Sequence, residues 1–385
     1  MKNEKIIIGL VSPTDIEDRR ASSGTIFKIA HTLEGLGYEV RWIKVRYNNM
    51  SDKINRYVNK LSKCIINLDF ASSNRLKFAK HASSSIDITE FDQCDLLFFP
   101  FQSNALFGLK FDKPVIYLSD ATFEVMVDYY IKDLKDAEIK VGNEIERYAM
   151  DHSNAIILSS DWAANSAIDF YNQSPSKVHV IEFGANIDDR DIIRKEYTYT
   201  GQLDLLFLGV DWERKGGRIA VDACRYLNEI GCKSVLHIVG IKDLDDDIKK
   251  LPYIDYVGFL NKNEKAQYNQ LVSIIQKCHC LLLPTLAECS AIAFAESSAY
   301  GLPIFSHETG GVSNYVYNGK NGYLLPLGST GDDFARKIKT CLDNGELKEM
   351  SISAVEVYKN RLNWRVWSEK VKDLINNLLL QQDCR

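Results

Sequence analysis

Ile6-Ile7-Ile8-Gly9-Leu10-Val11 carries no charge, and Ser12-Pro13-Thr14-Asp15 stops it at once. A near-continuous apolar run of that length suits a central parallel strand covered on both faces. A polar stretch follows to Ser23, and then Ile26-Phe27, Ile29-Ala30, Leu33 and Leu36 recur at helical spacing. Gly37 ends that helix, and Val40 to Val45 starts a second strand. Strand, loop, helix and strand in this order make a βαβ unit, which predicts an α/β fold.

Working outward, the pattern repeats. Leu96 to Phe99, Val115 to Leu118, Ala155 to Leu158 and Val178 to Ile181 read as further strands. Polar or small residues follow most of them, as in Ser119-Asp120 and Ser159-Ser160-Asp161. Open α/β sheets place ligand-binding loops at such points. A second series starts with a strand at Leu203 to Leu208, closed by Gly209, and a helix at Arg218 to Leu227. Strands at Val235 to Val239, Tyr256 to Leu260, Cys280 to Leu283, Pro303 to Ser306 and Gly322 to Leu325 follow, with a helix at Ala291 to Tyr300. The charged run Asp243 to Lys250 reads as a solvated loop or helix face. Two α/β domains result, 1–190 and 191–363, with a linker around Ala185 to Tyr199 and a helical tail from Trp364 to Leu380. Two such domains are expected to leave a cleft that the carboxyl-end loops of both sheets can face.

Composition narrows the function. Of 385 residues 45% are apolar and 26% charged, with Gly 22 and Pro 8, so the chain is neither collagenous nor broadly disordered. A formal charge of -5 argues against nucleic acid as the main partner, because phosphate binding needs a concentrated basic face. No apolar run approaches a membrane span. The first strand has no cleavage site after it, so it is not read as a signal peptide, and a cytoplasmic location is expected. Nine Cys are scattered, and only Cys278 and Cys280 are close. Two thiols on one strand face do not complete a zinc site, and buried reduced thiols are expected.

The richest stretch for chemistry is Pro284-Thr285-Leu286-Ala287-Glu288-Cys289-Ser290-Ala291-Ile292-Ala293-Phe294-Ala295-Glu296. Two carboxylates flank a strand-to-helix transition. One can bind sugar hydroxyls near a reacting carbon, and the other can accept both hydroxyls of a ribose. The alternative is a capped helix with one solvated Glu. Downstream, His307-Glu308-Thr309-Gly310-Gly311-Val312 follows the strand Pro303 to Ser306 and precedes a short helix-like segment, Ser313 to Val316. Its backbone N–H groups could converge on an anion, or it is an ordinary tight turn. After the first strand of the second domain comes Asp211-Trp212-Glu213-Arg214-Lys215-Gly216-Gly217. Arg214 and Lys215 suit a diphosphate, or form a solvated basic turn. No Walker-type loop is present, which disfavours that class of nucleotide triphosphatase.

In the first domain Gly24 would let a ligand approach the start of a helix, and Arg19 and Arg20 are surface residues or contacts for an anionic acceptor. Asp120 either orients an acceptor hydroxyl or caps a helix at Ala121 to Glu124.

In order and spacing these pieces resemble the retaining glycosyltransferases of family 4, which have the GT-B fold. The resemblance is carried by Glu288 to Glu296, Arg214 to Gly217, Thr309 to Val312, Asn318-Gly319-Lys320-Asn321-Gly322-Tyr323-Leu324, and Lys177 to Asn186. It implies two Rossmann-like α/β/α domains facing a central cleft. An acceptor-binding domain at 1–190 would be completed by the crossing-back helix 364–385, and 191–363 would bind the donor. It implies transfer of a sugar, a hexosyl group, from a nucleoside-diphosphate sugar to a saccharide, lipid-linked or small-molecule acceptor, with retained configuration, no metal and no further cofactor. Arg214 and Lys215 would hold the diphosphate, beside Gly209, and Glu296 the ribose. Glu288 and Thr309, Gly310, Gly311 and Val312 would hold the sugar and phosphate, and Val257, Gly258, Phe259 and Leu260 would lie against the base. Weak peripheral membrane association is found among lipid-acceptor relatives. Many relatives carry a His where Ser119 stands, so Asp120 becomes the polar contact expected from the first domain. The rival readings are a nucleotide-sugar epimerase of GT-B shape and a non-catalytic sugar-nucleotide-binding subunit of a glycosylation complex.

Overall fold

In a computed structural model, the described residues are 5–19, 21–46, 68–193 and 196–383. Arg20, one of the anion contacts considered above, lies outside them. The chain divides into two compact units. The first is Met1–Ala21, Ile26–Ile181 and Ser368–Arg385, and the second is Ser22–Thr25 and Glu182–Trp367.

The first unit holds a parallel sheet of β1 (Ile7–Ser12), β2 (Glu39–Lys44), β3 (Leu96–Pro100), β4 (Val115–Ser119), β5 (Ala155–Leu158) and β6 (Val178–Val180). Its order is β2-β1-β3-β4-β5-β6. β3, β4 and β5 are buried along their whole lengths, which is why they read as unbroken apolar runs. Helices α1 (Thr25–Gly35), α2 (Leu68–Ser84), α3 (Asp136–Asp151) and α4 (Asp161–Asp169) belong to the same half of the chain.

The second unit holds β7 (Leu203–Leu208), β8 (Ser234–Val239), β9 (Ile254–Gly258), β10 (Cys280–Leu282), β11 (Ile304–His307) and β12 (Gly322–Leu325). Helices α5 (Gly217–Glu229), α6 (Lys265–Lys277), α7 (Ile292–Ala299), α8 (Gly331–Asp343) and α9 (Glu346–Asn360) complete it. The sheet runs β12-β11-β10-β7-β8-β9, all parallel. Strand order reverses between β7 and β10, and ligands of open α/β sheets bind outside the carboxyl ends at such a switch point. Both units are therefore Rossmann-like α/β/α layers. The long helix α10 (Trp364–Asp383) begins with the second unit and counts with the first from Ser368 onward. Trp367, Val371, Leu374, Ile375 and Leu378 are its buried face. No described helix is long and apolar enough to cross a membrane.

Two local expectations change. β9 ends at Gly258, whose φ of +81° turns the chain, so Phe259 and Leu260 stand in the following loop. The helix expected at Ser313 to Val316 is a single 3-10 turn, Gly310–Asn314. Asp243 to Lys250 keeps to its expectation, a largely exposed loop with one helical turn, Asp246–Lys249. Cys278 and Cys280 are buried free thiols at the α6–β10 junction.

One buried acid lies in the first unit. Glu146 of α3 is 5% exposed, and its Oε1 accepts a 2.9 Å hydrogen bond from the Tyr117 hydroxyl of β4. Burial pushes its carboxyl up to about 7, against the pull of Tyr117 and Ser103 and with a further push from Asp120. In the unfolded chain the group titrates near 4.5. Between those values the folded state keeps a proton that the unfolded state has lost, so stability falls as pH rises through this window and levels off above it. Glu146→Gln keeps an acceptor for Tyr117 and cannot ionise. Its urea midpoint is expected to match that of the parent near pH 4 and to exceed it at pH 8 by about 2–3 kcal/mol of stability. Parallel stability profiles for the two proteins across that range would show that Glu146 is ionised when folded.

Candidate functional site

The candidate donor residues gather at the carboxyl ends of the second unit's strands. The β7 loop supplies Arg214 and Lys215, and the β10 loop supplies Glu288. These are the two strands that flank the switch point. Gly216 sits at φ +70°, and a Cβ there would run into the Pro284 carbonyl oxygen. Only glycine lets the two loops close this far without strain.

The loops are stitched by backbone as well. Leu286 N–H donates to the Arg214 carbonyl at 2.8 Å, and the Thr285 hydroxyl reaches the same carbonyl at 3.3 Å. The Arg214 Nη1 donates to the Ala287 carbonyl at 2.9 Å, and its Nε reaches Asp211 Oδ2 at 3.4 Å. The Lys215 ammonium and Glu288 Oε2 form a direct ion pair, with Arg214 Nη1 3.6 Å from the same oxygen. The side chains of Lys215 and Glu288 are 11% and 7% exposed, so this is a buried pair. The proposed phosphate cations and the proposed sugar carboxylate are thus brought together, and they neutralise one another. The alkyl stem of Lys215 lies against Gly209 at the end of β7.

Glu296, on α7, is 3% exposed. It is no solvated helix residue. Its Oε1 accepts a 2.6 Å hydrogen bond from Lys262 Nζ, in the loop after β9. Nothing in the motif pattern marked Lys262; it stood in a polar Asn-Lys-Asn-Glu turn that reads as solvent-facing.

The glycine turn is partly committed. Gly311 N–H donates to the Glu288 carbonyl at 3.1 Å, and Val312 N–H to the Thr309 carbonyl at 3.3 Å. Gly310, at φ +52°, has an amide that neither bond uses. The first bond ties the turn to the Glu288 loop, so these two segments do form one wall. Beyond β9, Val257 and Leu260 are half-buried and Gly258 buried, while Phe259 is 42% exposed with Lys242 Nζ 5.0 Å from its ring centroid. An exposed aromatic ring suits stacking against a planar base.

Asp120 follows β4 and is half-buried. It does not cap a helix. The short helix is Phe123–Met126 and its cap position is Thr122, whose hydroxyl pairs with Ser166 at 2.7 Å instead. Gly24 closes a left-handed turn, with φ +48° at Ser22, +58° at Ser23 and +91° at Gly24. Asn186 Nδ2 holds that turn, donating to the Ser23 carbonyl at 2.9 Å. Among the described residues no group of three or more His, Cys, Asp or Glu could hold a metal ion.

Comparison with known proteins bears on this arrangement. The profile of the family described as Glycosyl transferases group 1 matches residues 188–356, which contain Arg214, Lys215, Glu288, Glu296 and the glycine turn. The uncharacterized glycosyltransferase MJ1178 of Methanocaldococcus jannaschii is 24% identical over 225 residues, 58% of this chain and 59% of that protein. The chain thus spans under two thirds of this curated relative. Among solved structures, sucrose-phosphate synthase from Thermosynechococcus elongatus superposes with a TM-score of 0.72 at 14% identity, covering 98% of this chain and 100% of that one. Anabaena HepE in complex with UDP and glucose gives 0.60 at 14%, covering 97% and 100%. At such identity these likenesses establish the fold, which is GT-B.

The buried pair makes Lys215 structural as well as a candidate ligand contact. Lys215→Met leaves Glu288 buried without its main partner, a loss of about 3 kcal/mol, with Arg214 keeping it at the low end of the range for broken buried pairs. The double variant Lys215→Met/Glu288→Gln removes both charges and is expected to recover most of that loss in urea unfolding. If Lys215→Met leaves stability unchanged, Arg214 alone neutralises the carboxylate.

Proposed function

We propose that the chain is a metal-independent, retaining glycosyltransferase of the family 4 type, using a nucleoside-diphosphate sugar. The observation that carries this reading is the convergence of Arg214, Lys215 and Glu288 across the switch point of a sheet, within the segment that the glycosyltransferase family profile covers. The solved neighbour HepE, described with UDP and with UDP-glucose, supports the same donor class.

In this reading Arg214, Lys215 and the Gly310 amide take the negative charge that grows on the diphosphate as the glycosidic bond breaks. Lys215 has three N–H donors, and Glu288 needs one of them. Glu288 holds hydroxyls of the sugar, Glu296 holds the ribose, and Phe259 with Val257 and Leu260 lies against the base. The acceptor oxygen bonds to the anomeric carbon on the face the diphosphate leaves, and a departing phosphate oxygen takes the acceptor's proton. The first unit binds the acceptor, with Asp120 orienting its hydroxyl. Seven described cysteines are buried free thiols, which supports a reducing, cytoplasmic setting.

The test is a screen of nucleoside-diphosphate sugars, read as nucleoside diphosphate release with and without acceptors, in excess chelator. Release that depends on acceptor is expected, and chelator should not reduce it. Activity restored only by Mg²⁺ or Mn²⁺ overturns the metal-independent reading, and donor conversion without acceptor favours an epimerase. Within the site, Glu296→Gln is expected to weaken nucleoside diphosphate binding. Glu288→Gln should instead lower turnover at saturating donor while leaving that binding nearly intact. Reversed effects in calorimetry and turnover would reverse the placement of the ligand along α7.

A further inference from the structure

Lys262 is the part of the site that the proposed function does not use. Its loop is held in place. Asn261 N–H donates to Gln267 Oε1 at 2.8 Å, Asn263 N–H to Asn261 Oδ1 at 3.0 Å, and Glu264 N–H to the Asn261 carbonyl at 3.0 Å. Lys262 is therefore presented by a braced turn, anchored to the first turns of α6. Its side chain is 21% exposed and its ammonium lies 2.6 Å from Glu296 Oε1. Among the described residues no other hydrogen-bonding partner is found for that carboxylate.

A ribose held by both oxygens of Glu296 meets an oxygen already engaged. The carboxylate has lone pairs to spare, since each oxygen can accept twice. Lys262 need not leave. By fixing Oε1 it sets the plane of the carboxylate, and it compensates a charge that would otherwise stand almost without solvent. Its position favours the nucleoside end of a ligand. It lies just past Phe259 and Leu260, whereas Arg214 and Lys215 are engaged at Glu288, before α7 begins.

We infer that Lys262 is a positioning residue for ribose recognition, holding the Glu296 carboxylate oriented toward the two ribose hydroxyls. This rests on the reading that Glu296 receives the ribose of a nucleoside diphosphate. It makes ribose selectivity, and not affinity alone, depend on a lysine outside the two-glutamate motif.

The experiment is calorimetry with UDP, GDP and ADP, taking the tightest binder forward with its 2′-deoxy counterpart. The parent protein is expected to prefer the ribonucleotide by roughly tenfold or more. Lys262→Met should weaken the ribonucleotide by roughly tenfold and bring the preference below about threefold. Lys262→Arg should keep most of the preference, and Lys262→Gln, which retains a donor without the charge, should fall between. These two variants give the same reading if Lys262→Met does not fold. Equal weakening of both nucleotides by Lys262→Met overturns the inference and makes Lys262 a cation for the phosphates. Unchanged binding, or tighter binding, also overturns it. A parent protein that binds a nucleoside diphosphate without preferring ribose overturns the role of Glu296. One that binds none of the three overturns the proposed function, and this inference with it.

Discussion

The candidate site depends on a single buried ion pair, Lys215 to Glu288, between the loops that leave β7 and β10. Those strands are neighbours in the sheet but lie far apart in sequence. Their loops meet because the carbonyl of Pro284 can press into the space that Gly216 leaves empty. Once they meet, Arg214 supplies a carbonyl to Leu286 and a guanidinium to Ala287, and Gly311 donates to the carbonyl of Glu288. The glycine turn after β11 is thereby tied to the same framework. Donors fixed this way need little reorganisation when charge develops nearby, which is how preorganised sites lower barriers.

Much of this could be read from the sequence, for reasons specific to each residue. Buried parallel strands must be apolar on both faces, so Leu96 to Phe99, Ala155 to Leu158 and Leu203 to Leu208 could hardly be mistaken. Glycine marks where strands stop, and Gly258 was the one that misled: a left-handed φ ended β9 two residues before its apolar run did. Arg214, Lys215, Glu288 and Glu296 were legible because their residue types and spacing match a known pattern. Their mutual pairing was not, since spacing in sequence does not say which charge meets which across a sheet. Lys262 and Glu146 were invisible for a related reason. A charged residue in a polar turn gives no sign of the partner it meets, and one on a helix of mixed composition gives no sign of being buried.

The two units differ in how they handle charge. In the second, three carboxylates at the site, Asp211, Glu288 and Glu296, stand against three cations, Arg214, Lys215 and Lys262. In the first, Glu146 forms no ion pair among the described residues and is held by the Tyr117 and Ser103 hydroxyls, so burial pushes it toward the neutral form. A balanced site keeps its charges available for a ligand. The acid in the first unit serves the fold instead, tying α3 to β4 through the Tyr117 hydroxyl.

Buried pairs are weak contributors to stability, because desolvation takes back most of what attraction gives. The same unit shows what a pair serving the fold looks like. His237 is 1% exposed on β8, with Nε2 2.8 Å from Asp204 Oδ1 on β7 and Nδ1 2.6 Å from Asp255 Oδ2 on β9. All three residues are locked in strands, and the cluster ties three adjacent strands together. The pair at Glu288 stands instead where strands give way to loops, and Glu296 on α7 is paired with a lysine of the loop after β9. In the loops after β7, β9 and β10, Val210, Phe259 and Leu286 are 71%, 42% and 43% exposed. Paired charges beside loops that expose apolar side chains suit a ligand that is anionic at one end and flat and apolar at the other. Replacing a buried pair by well-packed apolar residues is often neutral or stabilising, so the physical case for these charges lies in what binds to them.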